Sequence, residues 1–207
     1  MKFKRSLPFL VTSLFVAMFS TAVMAQTTLR FGHANSPGEI AHDLYKEFAD
    51  NVTKKSGGQL VVRVFPSEQL GKEVDLLQQL KSGALDISSP SMPTLNSMVP
   101  AFEMPSAPFL WRDWKEAEAV IRGPAMEPIW TELKDKHNIV PLSKIWYWGW
   151  RNFTFSNKEV RKPEDMAGLK VRVPESPIWV EMVRGFGAAP TPIPFGEVYT
   201  ALQQKTV

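Results

Sequence analysis

The hydrophobic spacing of this chain switches repeatedly between a period of two and a period of about 3.6, and this alternation narrows the possible folds more than any other feature. Residues 28–33 alternate as a strand, with Leu29 and Phe31 on one face. Ile40, Leu44, Phe48 and Val52 then recur every fourth residue, with Ala41, Tyr45 and Ala49 beside them. They predict an amphipathic helix of about four turns that faces the core with this stripe and stops at Ser56-Gly57-Gly58. Residues 60–65 read as a second strand, and Pro66-Ser67 turns the chain. Val74, Leu77 and Leu80 place a second helix before Gly83, and residues 85–88 are short enough for a central strand. Strand-helix-strand-helix-strand order builds a parallel sheet with right-handed crossovers.

Beyond residue 88 the pattern becomes less regular. Pro90, Pro93, Pro100, Pro105 and Pro108 forbid a long helix across 89–112, which predicts an irregular packed connector. Helices follow over 114–122 and 126–137, separated by Gly123-Pro124. Residues 139–150 read as a long strand that 153–156 extend or pair with. In that strand Trp146, Trp148 and Trp150 share one face, and Tyr147, Gly149 and Arg151 the other. Three tryptophans on one face predict core packing rather than a ligand platform. Glycine beside Arg151 leaves room for a close approach on the opposite face.

The segment Gly168-Leu-Lys-Val-Arg-Val-Pro174 has its own alternation, Leu169, Val171 and Val173 against Lys170 and Arg172. Pro174 ends this strand because it cannot donate to the ladder. Arg172 therefore sits at a carboxyl end, where open α/β sheets bind ligands. A guanidinium there can hold a carboxylate through two parallel hydrogen bonds, although an arginine on a solvated strand face satisfies the same pattern. For Arg151 a structural ion pair is the competing reading. Phe195 is either an apolar wall over a ligand or a staple for the helix it begins. Glu175 and Trp179 follow Arg172 closely and face the same crevice if the loop folds inward. No nucleophile elbow, phosphate loop or H-E-x-x-H stands in the chain. His33, His42 and His137 are scattered, and Glu39 with His42 does not make a metal site.

Residues 1–25 predict a secretory leader: Lys2, Lys4 and Arg5 precede an apolar run, with Val23 and Ala25 at the cleavage positions. The apolar run falls short of the ~20 residues a membrane span needs. The leader holds three of the 24 basic residues and no acid, leaving 21 basic against 21 acidic residues. A neutral chain lacks the basic face that nucleic-acid binding requires. Cysteine is absent, so no disulfide, thiol nucleophile or thiolate metal site is available.

Several segments together carry a resemblance. They are Phe31-Gly32-His33, Phe65-Pro-Ser67 with Gln69-Leu-Gly71, Leu85-Asp86, the Gly168–Pro174 strand, and Pro190-Thr-Pro-Ile-Pro-Phe-Gly-Glu-Val-Tyr-Thr-Ala-Leu-Gln203. In these the chain resembles the periplasmic solute receptors of tripartite ATP-independent periplasmic (TRAP) transporters, the DctP-like family. The resemblance implies a two-lobed α/β clamshell like that of periplasmic binding proteins, with 26–145 as the first lobe and 146–207 as the second. Family members are about half again as long, so the second lobe and a spanning helix are expected to be incomplete here. It implies that Arg172 forms the main pair with a ligand carboxylate, that Arg151 is the second cationic contact and that Phe195 is an apolar wall. Glu175, Ser91 and Glu73 fall where relatives contact the rest of the ligand. His33 is expected at the crevice, and Trp179 against a flat part of the ligand or packed on its helix. The implied protein is a periplasmic monomer without catalysis, cofactor or metal. It captures a small organic acid, C4-dicarboxylate-like or other, and delivers it to the membrane subunits of the transporter. Two alternatives stay open at this point: a secreted α/β hydrolase using Glu175 and Glu197, and a sensing module for a membrane receptor.

Overall fold

A computed structural model describes residues 25–156 and 158–207. Apart from Ala25, the predicted leader lies outside the described residues. Strand β1 (Thr27–Gly32), helix α1 (Ile40–Lys55), strand β2 (Leu60–Phe65), helix α2 (Glu73–Ser82) and strand β3 (Ile87–Ser88) follow the expected order. Both β1–β2 and β1–β3 are parallel, giving the order β2-β1-β3. The 85–88 segment is thus an edge rather than a central strand, because β1 takes the middle and pairs on both sides.

Helix α1 turns only one side of the expected stripe to the core, with Phe48 and Val52 packed partly buried beside it. Ala41, His42, Tyr45 and Ala49 are buried, whereas Ile40 is 79% exposed and Leu44 45%. The small side chains of Ala41 and Ala49 let the helix approach Phe31 and Val62 of the sheet closely, which a face of Ile40 and Leu44 would hold off.

After β3 come a short helix α3 (Met92–Leu95), a 3₁₀ segment (Pro100–Ser106), helix α4 (Trp114–Arg122) and helix α5 (Glu127–His137). Asp113 caps α4 by accepting the Glu116 N–H at 2.9 Å. These pieces enclose the largest apolar core, with Phe102, Leu77, Met126 and Leu133 essentially inaccessible. Phe102 meets Trp130 edge-on at 4.7 Å between centroids. The Trp130 indole is satisfied by the Ile121 carbonyl at 3.0 Å, as a buried N–H requires.

The long strand expected over 139–150 does not form, and 153–156 does not pair with it. Alternation alone makes no strand; each residue needs a hydrogen-bonded neighbour, and no strand pairs with this stretch among the described residues. Pro141 supplies no donor, and Gly149 sits at φ +84°, outside strand geometry. The expected burial of the tryptophans fails with it: Trp146, Trp148 and Trp150 are 51%, 60% and 61% exposed.

The second sheet pairs β4 (Lys170–Val173) in parallel with β5 (Ala189–Pro192), joined by helix α6 (Pro177–Gly185). Helix α7 (Val198–Gln203) follows a 3₁₀ turn at Phe195–Glu197. Val173, Val183, Ala188 and Met166 form the core beneath β4. Glu103 joins this unit to the rest of the chain. Its carboxylate accepts the Ser176 hydroxyl at 2.6 Å and the Ile178 N–H at 2.7 Å. A carboxylate from a distant segment thereby caps the positive end of α6.

Candidate functional site

Arg172 is aimed by the backbone beside it. Its Nε and Nη2 both donate to the Ile193 carbonyl, at 2.9 and 2.7 Å. Pro174 contributes no competing N–H at the strand end. Two of the five guanidinium donors are engaged, so three remain for a ligand. Arg151 is placed by Trp179, whose ring lies 4.8 Å from the guanidinium carbon, a cation–π arrangement. The Phe195 ring lies 6.0 Å from the Arg172 guanidinium carbon.

A cavity of about 70 Å³ brings these groups together. Arg172, Arg151, Phe195, Glu175, Ser91 and Glu73 all line it, joined by Glu68, Thr94, Trp148, Pro174 and Pro194. It shares Glu73, Ser91, Trp148 and Arg151 with a larger, mainly apolar cavity of about 750 Å³. Trp179 lines the larger one, and so does every residue from Leu142 to Arg151. Both sides of the expected tryptophan strand thus face one space, because the backbone there is irregular.

The electrostatics are those of an anion site. Among the described residues no carboxylate comes within ion-pair distance of either arginine. Burial pushes the Arg172 pKa down to about 10, and repulsion from Arg151 adds to this; Glu73, Glu175 and Glu68 oppose it. Arg151 is exposed as a residue, yet protein crowding its guanidinium lowers its pKa, against the attraction of Glu73. A desolvated cation without a close counter-ion is costly, and an arriving carboxylate offsets that cost.

The acidic wall is equally well supported. One oxygen of Glu73 accepts the Ser91 hydroxyl at 2.6 Å, the Thr94 hydroxyl at 2.5 Å and the Ser91 N–H at 3.3 Å. Glu68, on a turn with φ +57°, accepts the Gly196 N–H at 3.2 Å. Burial raises the Glu68 pKa, with the Gly196 hydrogen bond opposing the shift. Glu197 instead pairs with Lys72 and does not line the cavity that Glu175 lines.

His33 is the one candidate that does not reach either cavity. It is 1% exposed; its Nδ1 accepts the Asn35 N–H at 3.1 Å and its Nε2 lies 3.3 Å from His42 Nδ1. The ring packs 4.7 Å from Tyr45 and 5.6 Å from Phe31, inside the core between α1 and the first sheet. Its carbonyl nevertheless accepts the Glu68 N–H at 3.1 Å and so holds the turn that carries the cavity carboxylate. Burial, with repulsion from His42, lowers the His33 pKa from 6.5 to about 4, against Glu39. The folded ring therefore stays neutral where the unfolded one takes up a proton. This contribution to stability is full above about pH 6.5 and is lost as the pH falls towards 4. Thermal melts across that window are expected to show a decline that His33→Gln flattens; an equal decline in the variant would assign it to other groups.

Glu68 and Thr94 were not singled out by sequence reasoning, and Trp148, expected in the core, lines the cavity instead. For Glu68 the usable signal was the Phe65-Pro-Ser turn that precedes it; Thr94 offered none.

Two parallel α/β units joined through Glu103, with an arginine-paired cavity at their strand ends, define a two-lobed fold of the periplasmic-binding type. The chain belongs to bacterial extracellular solute-binding protein family 7, the DctP family, whose profile matches residues 31–207. It is 32% identical over 194 residues to the 2,3-diketo-L-gulonate-binding periplasmic protein YiaO of Escherichia coli, covering 93% of this chain and 58% of that protein. Among solved structures it resembles the sugar acid binding protein DctPAm of Advenella mimigardefordensis in complex with galactonate. The TM-score is 0.83 at 32% identity, covering 88% of this chain and 58% of that one. A TRAP periplasmic solute binding protein of Sulfurospirillum deleyianum with bound succinate gives a TM-score of 0.82 at 32% identity, covering 89% and 59%. The chain thus spans somewhat over half the length of these relatives.

Proposed function

We propose that this protein is the periplasmic receptor of a TRAP transporter, capturing a small organic acid and passing it to the membrane subunits as a monomer and without a chemical step. The observation that carries this reading is the pair of arginines at one cavity, neither of them in an ion pair with a carboxylate among the described residues. Arg172 receives the ligand carboxylate through its planar fork, Arg151 adds a second positive charge, and Phe195 closes the apolar side.

Capture works by closure of lobe 26–145 upon lobe 146–207, driven by ligand contacts that exist only when both sides meet. Three cross-connections support such a movement: Glu68 to the Gly196 N–H, Lys72 to Glu197, and Glu103 to the start of α6. The first two lie at the cavity mouth, and the third fixes the far side.

Mass spectrometry of ligand co-purified with the protein, followed by calorimetry with that acid, tests the reading. Recovery of an intact acid with a saturable one-site isotherm is expected. Chemical conversion of the acid, or no heat with any organic acid, would overturn it.

A further inference from the structure

Glu68 meets the Gly196 N–H across the cavity mouth, and each side of that contact is held in place by its own part of the chain. Glu68 stands on a turn in which two consecutive residues that are not glycine, Ser67 and Glu68, adopt the left-handed conformation, at φ +52° and +57°. Such backbone persists only where its surroundings over-determine it. Here the Ser67 N–H donates to the Asn35 carbonyl at 2.9 Å and the Glu68 N–H to the His33 carbonyl at 3.1 Å, tying the turn to the end of β1. On the other side, the Ile193 N–H donates to the Val173 carbonyl at 3.1 Å and the Glu197 N–H to the Pro194 carbonyl at 3.2 Å. Gly196 lies within that fixed turn, its nitrogen 3.2 Å from Glu68 Oε1. A Cβ on residue 196 would stand 2.6 Å from Glu68 Cδ, too close for the carboxylate to keep its place. The φ of Gly196 is not positive, so glycine serves here for space rather than for conformation.

We propose that Glu68 and Gly196 form a latch that holds the two lobes together, and that the latch depends on the absence of a side chain at position 196. The proposal rests on the reading of 26–145 and 146–207 as lobes that close. The carboxylate accepts the N–H in a charge-assisted hydrogen bond, which is stronger than a neutral one. The missing Cβ is what lets the carboxylate reach the backbone. Phe195 is the residue before Gly196, so the latch also fixes the ring that stands by the Arg172 guanidinium. Lys72 and Glu197 pair across the same mouth, but their side chains are 50% and 51% exposed. Ion pairs this open to water contribute little, which leaves the half-buried Glu68 contact as the stronger of the two.

The chain has no cysteine, so Lys72→Cys with Glu197→Cys adds the only thiols, at two side chains that meet across the mouth. A short bismaleimide joins them when the lobes are together. Its rate in the ligand-free protein reads the closed fraction, with a monofunctional maleimide as the control for thiol reactivity. In this background Gly196→Ala is expected to slow cross-linking about tenfold, the size of one hydrogen bond to a charged group. Residue 196 lies in the 3₁₀ turn Phe195–Glu197, where alanine is no worse than glycine for the backbone, so the melting temperature should not fall. Glu68→Ala is expected to slow the reaction equally. Glu68→Gln, whose amide oxygen still accepts the N–H, should stay within ~3-fold of the parent. The two alanine substitutions together should be no slower than either alone, because both remove one contact. An unchanged rate in Gly196→Ala, losses that multiply in the double variant, or no cross-link in any protein overturns the latch. No acid enters the measurement, so a failed latch leaves the receptor reading standing, and a protein that binds no acid can still show the latch.

Discussion

Replacing Arg172 with alanine is expected to lower affinity for the organic acid that co-purifies with the protein by ~100-fold or more. A bidentate charge-assisted pair contributes more than an ordinary hydrogen bond, and truncating one partner of a buried charge pair costs about 2–5 kcal/mol. The geometry makes the residue hard to replace. Its fork is already oriented by two hydrogen bonds to the Ile193 carbonyl, so the ligand does not bear the full cost of ordering the side chain. Arg172→Lys retains a charge but loses the planar fork and the second donor direction, and is expected to weaken binding by roughly ten- to a hundredfold. The ligand-free protein should not suffer in proportion. Arg172 is a partly buried cation whose pKa is held down to about 10 by that burial and by Arg151, so removing it relieves desolvation and repulsion. Calorimetry of both variants beside thermal melts of the ligand-free proteins checks this. Unchanged affinity in the alanine variant would remove Arg172 from the site. A collapse in melting temperature would reassign it to the scaffold.

How far the sequence revealed this site depended on the range over which each signal acts. Helices α2, α4 and α6 and strands β1, β2 and β4 were legible because apolar spacing, capping residues and proline stops act over a few positions. Gly83 illustrates this: it ends α2 at φ +75°, a conformation that costs glycine nothing. Arg172 was legible for the same reason, as a polar position in an alternating strand with a proline stop. Its meeting with Arg151 was legible only through the resemblance, because nothing local relates the end of β4 to an irregular stretch some twenty residues earlier.

Failures arose where a distant partner decides the outcome. The 139–150 segment has the alternation of a strand, yet pairing is a property of two segments, and no strand pairs with it among the described residues. The tryptophans are consequently exposed rather than buried. The α1 stripe was drawn too wide because spacing admits Ile40 and Leu44 together with Ala41, Tyr45 and Ala49, whereas close approach to the sheet favours the small residues. Glu103 gave no sequence signal, and Glu68 none beyond the turn it follows, because their roles arise from bonds to residues 75 and 128 positions away.

Phe102→Ala is expected to have the largest effect on stability, about 3–5 kcal/mol. The ring is fully buried at the centre of the largest core, among Leu77, Val99, Met126 and Leu133, and its edge contact with Trp130 adds an aromatic contribution. The surrounding helices are fixed by other contacts, including the Trp130 indole on the Ile121 carbonyl and the Trp111 indole on the Pro105 carbonyl at 2.9 Å. They can therefore collapse only partly into the vacated space, which is the circumstance that makes truncation most costly. Urea unfolding should show the loss as a lower midpoint at unchanged slope. Phe102→Leu, which refills most of the volume, should recover much of it. Ligand affinity is expected to fall as well, because the next residue is Glu103. The 3₁₀ segment that Phe102 anchors presents that carboxylate to Ser176 and to the first turn of α6, and α6 carries the Trp179 ring that positions Arg151. A variant that unfolds more easily but binds with unaltered affinity would separate this core from the site. Paired losses would show that the apolar core and the cation–π contact are linked through a single glutamate.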